Sequence, residues 1–161
     1  MFDKFKADME VDSTYDINFE DLYSKGVRGL IFDIDNTLVP HDAPGDAKSD
    51  ELMRRLSNLG YEIYILSNNN EERVKLFLQN GLTIPYIAKS GKPSKTSYLK
   101  AFEDMNLSPD KVVAVGDQLL TDCMGAKNAG IKFIKVGIIS KKEPLHIRLK
   151  RIIEKIIYIF I

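Results

Sequence analysis

Ile31–Val39, IFDIDNTLV, sets two aspartates two residues apart at the end of an apolar run. Together with the residues before it, VRGLIFDI from Val27 to Ile34, the run has the length and composition of a buried strand. Like charges this close repel one another unless a cation or a tuned proton balances them. A strand that gives out on Asp33 and Asp35 therefore reads as the floor of a site.

Strand and helix alternate onward from there. Ala47–Leu59 carries Leu52, Met53, Leu56 and Leu59 at helical spacing, and Gly60 closes it. YEIYILS (61–67) is a strand, and Glu71–Gln79 a helix with Asn70 as its N-cap and Gly81 after its end. IPYIAKS (84–90) reads as a short strand, Lys95–Met105 as a helix and KVVAVGD (111–117) as a buried strand. Leu120–Ala129 is a helix ended by Gly130, and IKFIKVG (131–137) is the last strand. Repeated strand–helix units predict a Rossmann-like, three-layer α/β fold with a central, mostly parallel sheet. Sites in such sheets lie at the carboxyl ends of the strands. Residues 1–25, with Tyr15, Ile17, Phe19, Leu22 and Tyr23, are expected as an extension packed on a core at 26–140. Residues 141–161 are expected as a basic amphipathic helix.

The 161 residues suit one domain, and 44% hydrophobic content excludes a disordered chain. The formal net charge is zero, so bulk electrostatics do not point to nucleic acid. Charge is uneven along the chain: the first two dozen residues are acidic, the last twenty basic. The single cysteine, Cys123, leaves no internal disulfide and reads as a small buried thiol in a reducing compartment. The first ten residues do not resemble a secretory signal, and no run of about eighteen apolar residues occurs, so a cytoplasmic protein is expected.

On this scheme Asp33 and Asp35 end the first strand, and Ser67 and Asn68 end the second. Lys92, in SGKPS, follows the third, and Asp117 and Asp122, in GDQLLTD, follow the fourth. Taken singly, each group is ordinary: a solvated turn, a helix cap, a loop lysine. Taken in order, they bring carboxylates, a hydroxyl and an ammonium to one sheet edge. Phosphoryl transfer needs these types. Magnesium takes one or two carboxylates, waters and substrate phosphate. One aspartate can attack phosphorus, and a second carboxyl can serve as acid and then as base. Ser67 and Lys92 can hold the oxygens where charge accumulates.

IFDIDNTLV, ILSNNN, SGKPS and VGDQLLTD together resemble the four motifs of the haloacid dehalogenase superfamily. Asp35, two places after Asp33, matches its phosphatases. The N-terminal extension, DNTLVP, SNN and GDQLLTD resemble the YqeG family, which is similar to the mitochondrial phosphatidylglycerophosphatases. The resemblance implies Asp33 as nucleophile and magnesium ligand, and Asp35 as acid/base with its backbone carbonyl on the metal. It implies Ser67, Asn68 and Lys92 for phosphate, Asp117 as a third metal ligand, and Thr37 and Asp122 in support. The chain departs from the YqeG pattern at ADMEVDSTYD (7–16) and at His41, where an aromatic is frequent.

Neither the ten-residue loop 39–48 nor the stretch 70–92 has room for a cap domain. An open site suits a large substrate, such as a lipid headgroup or a protein, or an oligomer whose neighbour closes it. The tail repeats Leu145, Leu149, Ile152, Ile153, Ile156, Ile157 and Phe160 at helical spacing among basic residues. It suits either an anionic membrane interface or a last helix packed on the sheet. All four motifs lie upstream, so the tail is expected to be dispensable for hydrolysis of a small aryl phosphate. The expectation is thus a magnesium-dependent phosphatase without a cap, acting on phosphatidylglycerophosphate or on a soluble nucleotide or sugar phosphate. The competing class is a phospho-acceptor switch that stores rather than releases phosphate. His41 is either a solvated loop residue or part of the pocket, and His146 is expected to have no catalytic part.

Overall fold

The computed structural model describes residues 3–161. Six parallel strands form one sheet: β1 Met9–Val11, β2 Gly29–Phe32, β3 Glu62–Leu66, β4 Tyr86–Ile87, β5 Val112–Gly116 and β6 Lys132–Val136, in the order β1-β6-β5-β2-β3-β4. Every residue of β2 and β5 is buried, as their unbroken apolar runs require between two helical layers.

The helices are α1 Phe19–Ser24, α2 Ala47–Leu59, α3 Glu71–Phe77, α4 Thr96–Met105, α5 Met124–Asn128 and α6 Leu145–Ile157. Leu30, Phe32, Ile63, Ile65, Val113 and Val115 pack one sheet face against Phe19, Leu52, Met53, Leu56, Val74 and Phe77 of α1, α2 and α3. Ile31, Tyr64, Leu66 and Ala114 pack the other against Tyr98, Phe102, Met105 and Ala126 of α4 and α5. Asp46 and Ser49 exchange capping bonds at the start of α2, and Gly60 ends that helix with φ +103°.

Three boundaries differ from the sequence reading. The α3 helix stops at Phe77, two residues early. The strand in IPYIAKS is only Tyr86–Ile87, an edge pair. The stretch read as one helix from Leu120 opens with a π-helical turn, Leu119–Cys123, before α5. Strand β1 lies outside the sequence-based expectation. It is three residues long and half exposed, too short for a period-two signal, and pairs with β6 at the sheet edge.

The tail helix packs, but with an unexpected face. Its inward stripe carries Ile147, Arg151, Glu154 and Ile157. Leu145, Leu149, Ile152, Ile153 and Ile156 face outward, and Leu145 is 70% exposed. Among the described residues, no helix is long and apolar enough to cross a membrane.

Candidate active site

Chain order reverses between β2 and β5: β3 and β4 build outward on one side, β5 and β6 on the other. Such a switch point opens a crevice at the carboxyl ends of the two strands. Asp33 follows β2 and Asp117 follows β5, so the crevice receives a carboxylate from each side. Thr37 stands between them, its Oγ1 3.4 Å from Asp33 Oδ2 and 3.3 Å from Asp117 Oδ1. The loop that presents Asp33 and Thr37 is tied from below. Thr14 Oγ1 donates to the Thr37 carbonyl at 2.6 Å and Tyr15 OH to the Leu38 carbonyl at 2.8 Å.

Lys92 enters from the far side, its side chain 3% exposed. Its Nζ donates to Asp33 Oδ1 at 2.8 Å, Asp122 Oδ1 at 2.7 Å and the Leu66 carbonyl at 2.8 Å. All three ammonium protons are thereby used. The side chain of Asn68, a residue expected at phosphate, holds the Lys92 loop at the cavity wall. Its Oδ1 accepts from Lys92 N and Ser90 Oγ, and its Nδ2 donates to the Lys92 carbonyl. A carboxamide offers donor and acceptor together, which suits it to clamp a backbone turn. Ser67 is buried beside it on the cavity wall, its Oγ accepting from Asn69 N at 3.1 Å.

Asp35 lines the same cavity as Asp33 and has its own partners. Its Oδ1 accepts from Asp42 N at 2.8 Å and from Arg73 Nε at 3.0 Å, with Arg73 Nη2 also 3.0 Å away. His41 Nδ1 lies 3.8 Å from the same oxygen, and both His41 and His146 line the cavity. Arg73 is buried on the inward side of α3, and Nη1 has no hydrogen-bond partner among the described residues.

Asp117 is fully buried. Its Oδ2 is bound by Arg151 Nη2, and its backbone carbonyl accepts from Arg151 Nη1 at 2.9 Å. Arg151 also pairs with Glu143 at 2.8 Å and Glu154 at 3.4 Å. Glu154 Oε1 accepts from Leu119 N and Leu120 N, filling two donors at the start of the π-helical turn. The tail is therefore packed against the site, through Arg151 on Asp117 and Glu154 on the turn that follows it.

Charge is short on the positive side here. Among the described residues, the side chains of Asp33, Asp117, Asp122, Glu143 and Glu154 form their ion pairs with Lys92 and Arg151. Burial outweighs the pull of Lys92 and raises the Asp33 carboxyl from 3.8 to about 6. Burial likewise outweighs Arg151 and raises Asp117 to about 8. Burial works to lower the Lys92 ammonium, but Asp122 and Asp33 raise it above its ordinary value.

Residues 44–130 match the haloacid dehalogenase-like hydrolase family. The probable phosphatase YqeG of Bacillus subtilis is 36% identical over 152 residues, covering 94% of this chain and 88% of that protein. The chain belongs to the haloacid dehalogenase-like hydrolases. It is a phosphatase of that family. A haloacid dehalogenase-superfamily hydrolase of Ehrlichia chaffeensis shares the fold with a TM-score of 0.59 at 20% identity, over 80% of this chain and 95% of that one. The cobalt-bound deoxy-D-mannose-octulosonate 8-phosphate phosphatase of Haemophilus influenzae does so with a TM-score of 0.53 at 13% identity, over 82% and 84%.

The donor set of this hydrolase fits a hard divalent cation. Oxygens of Asp33, Asp117 and Asp122 lie within 4.8 Å of one another, with Asp117 and Asp122 buried and Asp33 at the cavity wall. The surplus of buried carboxylates is the shortage that such an ion fills. The Asp35 carboxylate belongs instead to a separate group with His41 and Asp42.

Sequence reading missed Arg73, Glu143, Arg151 and Glu154. All but Glu143 have a signal in hindsight. Arg73 occupies the buried stripe of α3 with Val74 and Phe77, where a charge is costly unless it is paired. Arg151 and Glu154 fall on one face of α6 with Ile147 and Ile157, opposite the longer apolar stripe. Taking the more apolar stripe as the packed one hid them.

Proposed function

We propose that this phosphatase hydrolyses phosphomonoesters through an aspartyl-phosphate on Asp33, with magnesium held by Asp33, Asp117 and the Asp35 carbonyl. The observation that carries the reading is the placing of Asp33 and Asp117 at the switch point, with Lys92 bonded to Asp33. Magnesium, when bound, adds positive charge beside the phosphoryl oxygens and offsets carboxylate repulsion. An Asp33 oxygen attacks phosphorus, and the ester P–O bond breaks as Asp35 protonates the leaving oxygen. Asp35 then takes a proton from water, which attacks the aspartyl-phosphate and returns Asp33 as a carboxylate. Ser67 holds a phosphoryl oxygen, and Lys92 turns the proton it gives Asp33 to a second one as Asp33 is phosphorylated, while Asn68 acts through the Lys92 loop. Arg73 fixes Asp35 through Oδ1, and Asp122 fixes Lys92 and the turn at Gln118.

The substrate we propose is a lipid phosphomonoester of the phosphatidylglycerophosphate type, met by a cytoplasmic enzyme at the membrane surface. The cavity is 420 Å³ and lined in part by His146, Ile147 and Lys150 of α6. The outward apolar face of that helix is flanked by Arg148 and Lys155 on one edge and Lys150 on the other. Its one acidic residue, Glu154, is buried inward, so the exposed face carries only positive charge. This composition favours an anionic bilayer over a second copy, whose matching basic edges would repel. The test measures phosphate release from phosphatidylglycerophosphate vesicles, sugar and nucleotide phosphates and p-nitrophenyl phosphate. Ile152→Ser/Ile156→Ser should cut vesicle turnover at least tenfold and spare p-nitrophenyl phosphate. Faster turnover of a soluble phosphate, with no vesicle binding, would refute the lipid substrate.

A further inference from the structure

We infer that Arg151 is a positioning residue for Asp117, so that the tail helix supplies part of the cation site that the four motifs alone leave incomplete. The inference rests on the reading of Asp117 as a metal ligand and names what holds that ligand in place.

The geometry separates a brace from a plug. A guanidinium lying in the crevice would compete with a cation for the carboxylates. Arg151 reaches Asp117 at Oδ2 and the backbone carbonyl, not at Oδ1, the oxygen nearest Thr37. Nη2 binds Oδ2 and Nη1 binds the backbone carbonyl, so one planar fork grips the residue at both ends. The other carboxylate oxygen, Oδ1, is left toward Thr37 and hence toward Asp33. With Oδ2 anchored and the carbonyl fixed, rotation that would carry Oδ1 out of the crevice is opposed.

The brace is itself held. Glu143 Oε1 takes Arg151 Nη2 at 2.8 Å and Asn36 Nδ2 at 2.9 Å. Asn36 Oδ1 accepts from Ser140 N at 2.9 Å. Asn36 follows Asp35 in the first motif and sits in the left-handed region at φ +58°, which asparagine tolerates better than most residues. A chain of contacts thus runs from the first motif through Asn36, Glu143 and Arg151 to Asp117. Glu154 adds a second attachment by binding the amides of Leu119 and Leu120, two and three residues after Asp117. Groups that orient metal ligands in this way change affinity by about 10- to 100-fold when removed.

The test is Mg²⁺ binding by calorimetry to the wild-type, Arg151→Ala, Arg151→Lys and Asp117→Asn proteins, all purified as the full chain. We expect Arg151→Ala to weaken Mg²⁺ binding at least tenfold. Arg151→Lys, which keeps the charge and loses the fork, should weaken it less. In p-nitrophenyl phosphate hydrolysis, the Mg²⁺ concentration for half-maximal rate should rise in parallel. Saturating Mg²⁺ should restore kcat with KM unchanged, which a merely loosened fold would not do. Thermal unfolding in chelator checks that each variant is folded, and if Arg151→Ala is not, Arg151→Lys alone carries the comparison. Unchanged affinity in both arginine variants, with loss in Asp117→Asn, would overturn the inference and leave the metal reading standing. Tighter binding in Arg151→Ala would make the guanidinium a competitor and overturn it too. Undiminished binding in Asp117→Asn would remove the metal reading itself.

Discussion

Lys92→Met removes the ammonium that faces two buried carboxylates and a strand-end carbonyl. In the wild type Nζ lies 2.8 Å from Asp33, 2.7 Å from Asp122 and 2.8 Å from the Leu66 carbonyl. Methionine fills nearly the same volume, so cavity effects are small and the loss is electrostatic. Removing one partner of a buried pair costs about 3–5 kcal/mol. The cost depends on pH, because the abandoned carboxylates can take up protons. Burial already holds Asp33 near pKa 6 with Lys92 in place, and its loss raises that value further. At pH 7.5 in chelator we expect the full loss of about 3–5 kcal/mol. At pH 5, where Asp33 is neutral, we expect the smaller part of it. With urea m-values of about 1–3 kcal/mol per molar, the midpoint at pH 7.5 should fall by at least about 1 M. The assay is urea unfolding followed by far-ultraviolet circular dichroism at both pH values. A loss below about 1 kcal/mol at pH 7.5, or an equal loss at pH 5, would refute Lys92 as the counter-charge of the cluster.

Asp35→Asn should slow both phosphorylation and release of the enzyme in single-turnover experiments; a change confined to metal affinity would contradict its acid/base role. Arg73→Met leaves Asp35 without its buried partner, so we expect a loss of about 3–5 kcal/mol in urea unfolding together with a fall in kcat. In metal-free protein, Asp33 and Asp117 have folded pKa values raised to about 6 and about 8, above their unfolded values near 3.8. The folded state therefore binds more protons between roughly pH 4 and pH 8, and stability in chelator should fall as pH rises through that window. Saturating magnesium should flatten the slope, which unfolding midpoints at pH 5 and pH 8 will show.

The core of the fold was legible because β2 and β5 are unbroken apolar runs between capped amphipathic helices. Asp33, Ser67, Lys92 and Asp117 were legible because each follows a strand in a fixed order, and the sheet gathers such ends into one crevice. What stayed hidden came from contacts distant in sequence. Strand β1 is too short to show a period, and exists because the edge of β6 is open to it. Thr14 and Tyr15 brace the first motif from more than twenty residues away, and nothing local marks a hydroxyl that will meet a loop carbonyl. The tail was read by its apolar stripe, while the opposite stripe carries the ion pairs that dock it. That the Asn68 carboxamide clamps the Lys92 turn was hidden too, because that turn lies more than twenty residues away.

The most direct test of the central claim is to trap the phosphorylated enzyme. Protein mixed with magnesium and a ³²P-labelled aryl phosphate is quenched in acid within the first turnover, treated with hydroxylamine and mapped by mass spectrometry. The account predicts acid-stable label on the protein, released by hydroxylamine with a hydroxamate left at Asp33, and no label in Asp33→Asn. Steady phosphate release without labelled protein, or a hydroxamate at any residue other than Asp33, would contradict it.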